Sequence, residues 1–378
     1  TFEKKYIESV WHLLKQLYDK GFLYKGYTIQ PYSPAAGTQL SSHELNQPGA
    51  YRDVSDTSAT ALFKITDRDE HLMAWTTTPW TLPSNTALAV GEKIEYVLIE
   101  TFNPYTHEPN KVWIAKDLVS KYFKAEGENG DFAAYKGGDK VIPWKVIDSK
   151  KGSELAGWRY EQLLPFVQPT GGDPFRVIVG DFVTTEDGTG IVHIAPTFGA
   201  DDKRVAELNN IPPLTVEKEI NGVTVQQPLV DKEGKFQDFD DNGAGISGAY
   251  VKDYLDDPDY ESVDIKISVL LKKSGKAFKV EKYVHSYPHC WRTDKPVIYY
   301  PLDSWFIRTT AVQDRMIELN KSINWKPKST GEGRFGQWLE NLVDWNLSRS
   351  RFWGTPLPVW RTEDGTEEIC IGSYEELT

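Results

Sequence analysis

Residues 75–85 read WTTTPWTLPSN, and this stretch decides how the chain around it is interpreted. It begins on a predicted strand, and Pro79 ends that strand because proline cannot donate a hydrogen bond to a central ladder. The hydroxyls of Thr76, Thr77 and Thr78 therefore fall at a strand end, where they face a loop or a cavity. Such hydroxyls can orient a water molecule, hold a ribose or donate to an oxyanion. The alternative is that three threonines only favour a strand.

A second stretch, residues 188–196, reads GTGIVHIAP and is followed by TFGADD at 197–202. Alternation places His193 on one face of a short strand. A histidine there is either a satisfied core residue or the wall of a pocket. One of Asp201 and Asp202 is expected to cap the helix predicted from this point. The other carboxylate is then free to bind a substrate ammonium group.

Short β-like runs, separated by Gly, Pro and Asp, surround these two stretches. The predicted strands are Thr60–Ile65, His71–Thr76, Tyr96–Glu100, Lys111–Ala115, Phe175–Val183 and Ile191–Ala195. The helical candidates are few and short, at 116–122 and 201–208. We therefore predict a β-rich α+β fold for residues 51–285, with a distorted, closed or nearly closed β-barrel and peripheral helices.

Two flanks, residues 1–50 and 286–378, differ from this middle region. Apolar spacing predicts one amphipathic helix over 2–23, with Gly21 where its C-terminus belongs, and then an extended stretch at 23–30. Beyond residue 286, tryptophans are distributed over helix-and-turn segments. Both ends lack start or stop signals, so we expect the chain to be a piece of a longer protein.

The 378 residues carry a net charge of -12, and residues 51–285 hold 27 Lys and Arg against 38 Asp and Glu. This excludes a generally basic surface for nucleic acid. A local strip of five lysines is either a contact or a solvated face; it comprises Lys272, Lys273, Lys276, Lys279 and Lys282. Apolar runs are too short for a membrane span and the N-terminus does not resemble a signal peptide, so we expect a cytoplasmic protein. We also expect a monomer.

Metal, nucleotide and nucleophile motifs are absent from the sequence. It has no GxxxxGK[ST], GxGxxG, HExxH or complete GxSxG, and residues 245–249, GISGA, lack the second glycine. His285, His289 and Cys290 have metal-like spacing without a fourth ligand nearby in sequence. Cys290 and Cys370 have no pairing pattern. We predict no metal site and two reduced thiols.

At residues 75–85 and 188–202 the chain closely resembles class I aminoacyl-tRNA synthetases of the isoleucyl type, in the two segments that form their editing site. Leucyl and valyl relatives typically read TTRP in the first segment and lack the histidine of the second. The flanks, ESVWHLLKQLYDKGFLYKG and NLSRSRFWGTPLPVW, resemble the Rossmann-type catalytic core on either side of that insertion. HIGH and KMSKS are missing, so the resemblance implies no ATP-dependent activation here; ATP and Mg belong to the full-length parent.

The resemblance implies post-transfer editing, in which the aminoacyl ester of mischarged Val-tRNA(Ile) is hydrolysed without a cofactor. The implied partners are the 3′ acceptor end of tRNA(Ile) and its valine moiety. Asp202 would bind the α-ammonium, and Thr76, Thr77 and Thr78 would hold the ester and position water. The implied substrate-binding residues are His193, which would exclude isoleucine, with Trp75, Gly190 and, more weakly, Asn85. The alternatives are a valyl- or leucyl-type editing domain and a non-catalytic module for the tRNA acceptor end.

Overall fold

A computed structural model describes residues 2–220, 222–351, 353–362 and 365–378. Phe352, within the C-terminal stretch that carries the resemblance, lies outside the described residues. The chain divides into two compact units, one of residues 29–300 and one of residues 1–28 with 301–378. Each of the two divisions falls within a strand. The domain boundaries predicted from the sequence, after residues 50 and 285, stay predictions.

The α-helices of the described residues are α1 (Lys4–Asp19), α2 (Ser42–Leu45), α3 (Val119–Tyr122), α4 (Gly152–Leu155), α5 (Ala200–Leu208), α6 (Val263–Lys273), α7 (Gln313–Ser322), α8 (Ser329–Glu332), α9 (Arg334–Glu340) and α10 (Tyr374–Leu377). The strands are β1 (Leu23–Ser33), β2 (Thr38–Gln39), β3 (Tyr51–Lys64), β4 (His71–Thr76), β5 (Ala87–Val90), β6 (Glu95–Phe102), β7 (Pro109–Ala115), β8 (Lys145–Lys151), β9 (Arg176–Val179), β10 (Ile191–Ile194), β11 (Thr215–Ile220), β12 (Val223–Pro228), β13 (Ala277–Pro288), β14 (Ile298–Ile307), β15 (Trp345–Asn346), β16 (Val359–Arg361) and β17 (Glu368–Cys370). None of the described helices is long and apolar enough to span a membrane.

Two sheets of the larger unit position the threonine-rich stretch. A six-stranded sheet has the order β13-β3-β4-β7-β6-β8, and a three-stranded sheet has the order β10-β5-β9. Leu72 and Met73 on β4 are fully buried because that strand lies inside the larger sheet. After β4 the chain makes a 3-10 turn, Pro79–Ser84, and enters β5 of the smaller sheet. The turn therefore links the two sheets.

The strand-rich α+β class is confirmed, and the sheets formed by the described residues are open rather than closed into a barrel. The six-stranded sheet ends at β13 on one edge and at β8 on the other. Strands β5, β8, β11, β12 and β13 and helix α6 are present in the structure but were not predicted from the sequence. β13 was not predicted because charged residues such as Glu281 and Lys282 interrupt its apolar pattern, although it pairs with β3 from Tyr51 to Ala61.

The N-cap prediction for Asp201 and Asp202 is wrong. Helix α5 begins one residue earlier, at Ala200, with Gly199 as the N-cap and no side-chain cap. Both aspartates lie in the first helical turn, where negative charge is favourable because the helix dipole places partial positive charge there. Asp202 instead accepts a hydrogen bond from the backbone N–H of Ala195, at 2.8 Å.

The smaller unit is organised around Trp11 of helix α1. The Trp11 ring lies 5.1 Å from the ring of Tyr374 and 5.9 Å from that of Trp360, and its Nε1 donates to the carbonyl of Pro356 at 2.8 Å. Gly21 follows α1 with a φ of +72°, as predicted for a residue just beyond a helix C-terminus. The predicted N-terminal helix and the following extended stretch are thus confirmed.

Candidate active site

A cavity of about 460 Å³ lies where the end of β4, the turn after it, strand β10 and the start of α5 meet. This volume is within the range of small-molecule sites, about 300–1,000 Å³. Seven of the eight residues predicted for the site line it: Trp75, Thr76, Thr77, Thr78, Gly190, His193 and Asp202. Residues separated by more than a hundred positions in sequence therefore form one cavity. The role of each of them stays a prediction.

The three consecutive threonines are not equivalent. Thr76 is buried; its Oγ1 accepts the backbone N–H of Thr78 at 3.1 Å and lies 3.3 Å from the Thr78 hydroxyl. This small network fixes the backbone where the strand ends. The Thr77 hydroxyl makes no hydrogen bond to the described part of the chain, so it remains available to water or to a ligand.

His193 is buried, and the network around it defines its tautomer. The Thr81 hydroxyl donates its single proton to the carbonyl of Thr78, at 2.9 Å. Its oxygen, 3.0 Å from Nε2 of His193, must then act as the acceptor, so Nε2 carries a proton and Nδ1 is a bare acceptor. Nδ1 is buried and has no partner among the described residues. Burial lowers the pKa of His193 to about 4, so the ring is neutral at neutral pH.

Asp202 brings a carboxylate to the same cavity. Burial raises the pKa of this carboxyl to about 6, while the hydrogen bond from the Ala195 N–H works in the opposite direction. A β-carbon added at Gly199 would lie 2.7 Å from the carboxyl carbon of Asp202, so the glycine leaves room for this side chain. No cation of the described residues pairs with Asp202. The arrangement leaves a half-buried carboxylate that a ligand cation would stabilise.

The backbone beneath the cavity is held by Tyr96. Its hydroxyl donates to the carbonyl of Gly190 at 2.6 Å and accepts the N–H of Gly91 at 3.0 Å. Gly190 has a φ of +74°, and a β-carbon there would lie only 2.4 Å from that of Ala115. Both the backbone conformation and the packing therefore require glycine at this position.

We expect Gly190→Ala to lower the free energy of unfolding by about 1–3 kcal/mol, because it adds backbone strain and a steric clash. Denaturant unfolding of the purified chain measures this. Gly157→Ala is the matched control, since Gly157 also has a positive φ, +85°, but open space around its missing β-carbon. An equal loss in the two variants would show that the contact with Ala115 contributes nothing.

Asn85 does not line the cavity. Its side-chain NH2 donates to the carbonyl of Ala87 at 2.8 Å, and its Oδ1 accepts the hydroxyl of Tyr160 at 2.7 Å. The predicted contact with substrate is therefore not supported, because both ends of the amide serve to hold the start of β5. Asn85 lies at the end of the 3-10 turn, and the turn directs its side chain into the core.

Sequence reasoning also missed several lining residues, among them Thr81, Phe182, Asp187 and Phe198. Thr81 could have been found from its position three residues after Thr78, which is one turn of a 3-10 helix. Asp187 accepts the hydroxyl of Tyr283 at 2.6 Å, and no local pattern predicts that contact.

The histidines, cysteines and lysines that the sequence offered as other candidate sites lie outside the cavity. His285 Nε2 lies 3.2 Å from an Asp56 oxygen, and Nδ1 of His289 lies 3.0 Å from the carbonyl of Tyr287. Within the described ranges, no group of three or more His, Cys, Asp or Glu is placed to hold a metal ion. Cys290 and Cys370 are both buried and free. In the lysine strip, Lys276 donates to a backbone carbonyl and Lys279 pairs with Glu281.

Comparison with known proteins gives close relatives along the whole chain. The model of the class I tRNA synthetases (I, L, M and V) matches residues 1–378. The isoleucine–tRNA ligase of Cytophaga hutchinsonii is 63% identical and that of Bacteroides fragilis 58%; each alignment covers 100% of this chain and 35% of the relative. The isoleucine–tRNA ligase of Clostridium tetani is 42% identical over 100% of this chain and 32% of the relative.

A solved structure, the editing domain of the P. knowlesi cytosolic leucyl-tRNA synthetase, is matched with a TM-score of 0.38 and 11% identity, over 61% of this chain and 98% of that one. The chain spans about a third of the length of the curated relatives it matches. The family predicted from residues 75–85 and 188–202 is confirmed: the chain belongs to the class I tRNA synthetases (I, L, M and V), among which it resembles isoleucine–tRNA ligases.

Proposed function

We propose that this chain hydrolyses the aminoacyl ester of mischarged Val-tRNA(Ile). The observation that carries the proposal is the shared cavity, in which a half-buried carboxylate, a row of threonine hydroxyls and a neutral imidazole surround space for a small ligand. Relatives at 42–63% identity are isoleucine–tRNA ligases, which supports tRNA(Ile) as the partner. The ligand is the 3′-terminal aminoacyl-adenosine of that tRNA.

Asp202 anchors the substrate. The α-ammonium of the valyl group supplies the cation that the half-buried carboxylate lacks, and a charge-assisted hydrogen bond forms between them. With the pKa of this carboxyl at about 6, the side chain is largely ionised at neutral pH and can pair with the ammonium. We assign Asp202 to anchoring the substrate, and the positioning of water to the neighbouring threonine hydroxyls.

Hydrolysis requires attack of water on the ester carbonyl carbon. The ester C–O bond then breaks, valine leaves as a free amino acid, and the ribose oxygen takes the proton. The hydroxyls of Thr77 and Thr78 position the water and the terminal ribose, because they lie at the open end of β4. Since an aminoacyl ester is already activated, positioning and charge stabilisation drive the step and no ATP is consumed.

His193 serves as the wall of the side-chain pocket. A buried neutral imidazole with a pKa of about 4 is a poor proton acceptor at neutral pH, so it contributes shape rather than base catalysis. Isoleucine differs from valine by one methylene. A hydrophobic pocket discriminates such a difference by about 1–3 kcal/mol, a value for which isoleucyl-tRNA synthetase itself is the standard example. A second site that excludes the larger side chain adds to that discrimination.

The test is deacylation of purified Val-tRNA(Ile) by the 378-residue chain, followed as release of labelled valine. We expect turnover well above spontaneous hydrolysis, and slower turnover of Thr-tRNA(Val) and of a mischarged tRNA(Leu). Faster turnover of either of those two would instead support a valyl- or leucyl-type editing site. Absence of turnover on all three substrates would contradict the proposal.

The second candidate function is binding of the tRNA acceptor end without catalysis. The net charge of the chain determines the conditions under which this is tested. A net charge of -12 disfavours strong electrostatic attraction to tRNA. The deacylation assay is therefore run at protein concentrations high enough to saturate a weak complex. Retention of Val-tRNA(Ile) on the protein without valine release would support the binding module and contradict hydrolysis.

A further inference from the structure

A buried charged cluster contacts the 3-10 turn that follows Thr78 and contains Thr81. Lys252 is only 8% exposed, and its ammonium lies 3.1 Å from Asp264 Oδ2 and 2.9 Å from Asp56 Oδ2. The Asp56 oxygen also meets His285 Nε2, at 3.2 Å. Lys252 packs over the ring of Tyr287 as well, 5.2 Å from its centre. Two carboxylates thus share one buried ammonium.

Only one of the two carboxylates reaches the turn. Asp264, on α6 and 1% exposed, accepts the backbone N–H of Trp80 with its Oδ1, at 2.9 Å. Trp80 is the second residue of the turn, so its N–H has no acceptor within the turn. Asp264 therefore satisfies a donor that would otherwise be buried and unpaired, which is unfavourable.

The 3-10 turn also positions residues of the cavity wall. The carbonyl of Thr78 accepts both the N–H and the hydroxyl of Thr81, and the Thr81 oxygen holds His193. The Trp80 ring packs edge-on against Phe198, with centroids 5.0 Å apart, and Phe198 lines the cavity. A shift of Trp80 would therefore be transmitted to Phe198 and to the Thr81–His193 contact, all of which line the cavity.

We propose that Asp264, neutralised by Lys252, is a positioning residue for the editing site: it fixes the turn Pro79–Ser84, and through it the hydroxyl of Thr78 and the ring of His193. The inference rests on the proposed function and adds a residue outside the cavity to its machinery. Asp264 contacts no substrate, so it acts on the geometry of the reacting groups. Asp202 is untouched, so binding of the ammonium is retained.

The test compares three variants in the deacylation of Val-tRNA(Ile) and Ile-tRNA(Ile). We expect Asp264→Ala to lower kcat for the valyl substrate by about 10- to 100-fold with KM within about threefold, since small misplacements of reacting groups have effects of this size. The ratio of isoleucyl to valyl hydrolysis rises because His193 is no longer fixed. Asp264→Asn keeps an oxygen for the Trp80 N–H and stays within about threefold of the parent chain in kcat and in that ratio.

Asp56→Asn is the matched control, since Asp56 shares Lys252 but does not contact the turn. It is expected to lower stability while kcat and discrimination stay close to those of the parent. If Asp56→Asn reduces kcat as much as Asp264→Ala does, the cluster has a structural role only and the inference is overturned. If Asp264→Ala does not fold, the test depends on Asp264→Asn. A rise in the ratio of isoleucyl to valyl hydrolysis in this variant would contradict the inference.

A measurement without substrate separates this inference from the proposed function. Amide hydrogen exchange at Thr81 reports the turn directly, through its bond to the Thr78 carbonyl at 3.0 Å. We expect exchange at this amide to be at least tenfold faster in Asp264→Ala and unchanged in Asp56→Asn. Unchanged exchange in both variants overturns the positioning role, whether or not the parent chain hydrolyses any aminoacyl-tRNA.

Discussion

Asp202→Asn is expected to reduce kcat/KM for deacylation of Val-tRNA(Ile) by about 100-fold, through loss of one charge-assisted hydrogen bond worth about 2–3 kcal/mol. The amide can still accept the N–H of Ala195, so the local backbone is preserved. What is lost is the negative charge that faces the α-ammonium. Steady-state kinetics on purified Val-tRNA(Ile) measure the effect.

The neighbouring carboxylate provides the control for this variant. Asp201 lies in the same helical turn but is exposed and pairs with Arg204 at 3.4 Å, so Asp201→Asn should leave kcat/KM within about twofold of the parent value. In the parent chain, kcat/KM should also rise with pH through about 6, the pKa of Asp202. If Asp202→Asn hydrolyses the substrate as fast as the parent, the anchor role is wrong.

The same substitution should increase stability at pH 7. Burial raises the pKa of Asp202 from 3.8 to about 6, so the folded chain binds this proton more tightly than the unfolded chain. The ionised carboxylate therefore destabilises the fold fully above pH 6 and not at all below pH 4. Allowing for its partial exposure, Asp202→Asn should add about 1–2 kcal/mol to the free energy of unfolding at pH 7, and nothing near pH 3.5.

Residues that line the cavity could be predicted from local sequence, whereas several strands around them could not, and particular residues show why. Thr76, Thr77 and Thr78 could be placed because Pro79 ends their strand, and His193 because strict alternation defines the face of a short strand. In both cases the structure agrees with the local pattern: the strand ends before Pro79, and His193 lines the cavity. Asn85 belongs to the same stretch of sequence, but a tight turn directs it into the core.

Long-range contacts account for most of what the sequence did not predict. Asp264 binds the backbone of Trp80 across 184 residues, and no periodicity within its helix distinguishes it from a solvated carboxylate. Strand β5 has only four residues, two of them alanine, which is depleted in strands, and it is stabilised by pairing with β10 and β9. Whether a sheet is open or closed likewise depends on which strands pair, and local sequence does not specify that pairing.

His193→Ala is expected to give the chain a new activity, the hydrolysis of correctly charged Ile-tRNA(Ile). Removing the imidazole opens space in the cavity wall for the extra methylene of isoleucine, whereas the anchor at Asp202 and the threonine hydroxyls remain. We expect kcat/KM for the isoleucyl ester to rise by at least tenfold relative to that for the valyl ester, in keeping with about 1–3 kcal/mol for one methylene. Parallel deacylation assays with the two charged forms of tRNA(Ile) measure this ratio.

His193→Phe separates the shape of this side chain from its chemistry. Phenylalanine fills the wall but cannot donate to the Thr81 oxygen, which still donates its own proton to the Thr78 carbonyl. If His193 acts as a wall, this variant continues to exclude isoleucine, and only the alanine variant accepts it. An unchanged isoleucyl-to-valyl ratio in His193→Ala would contradict the wall. Equal relaxation in both variants would instead assign the discrimination to the bond between Nε2 and Thr81, because that bond is the feature both variants lose.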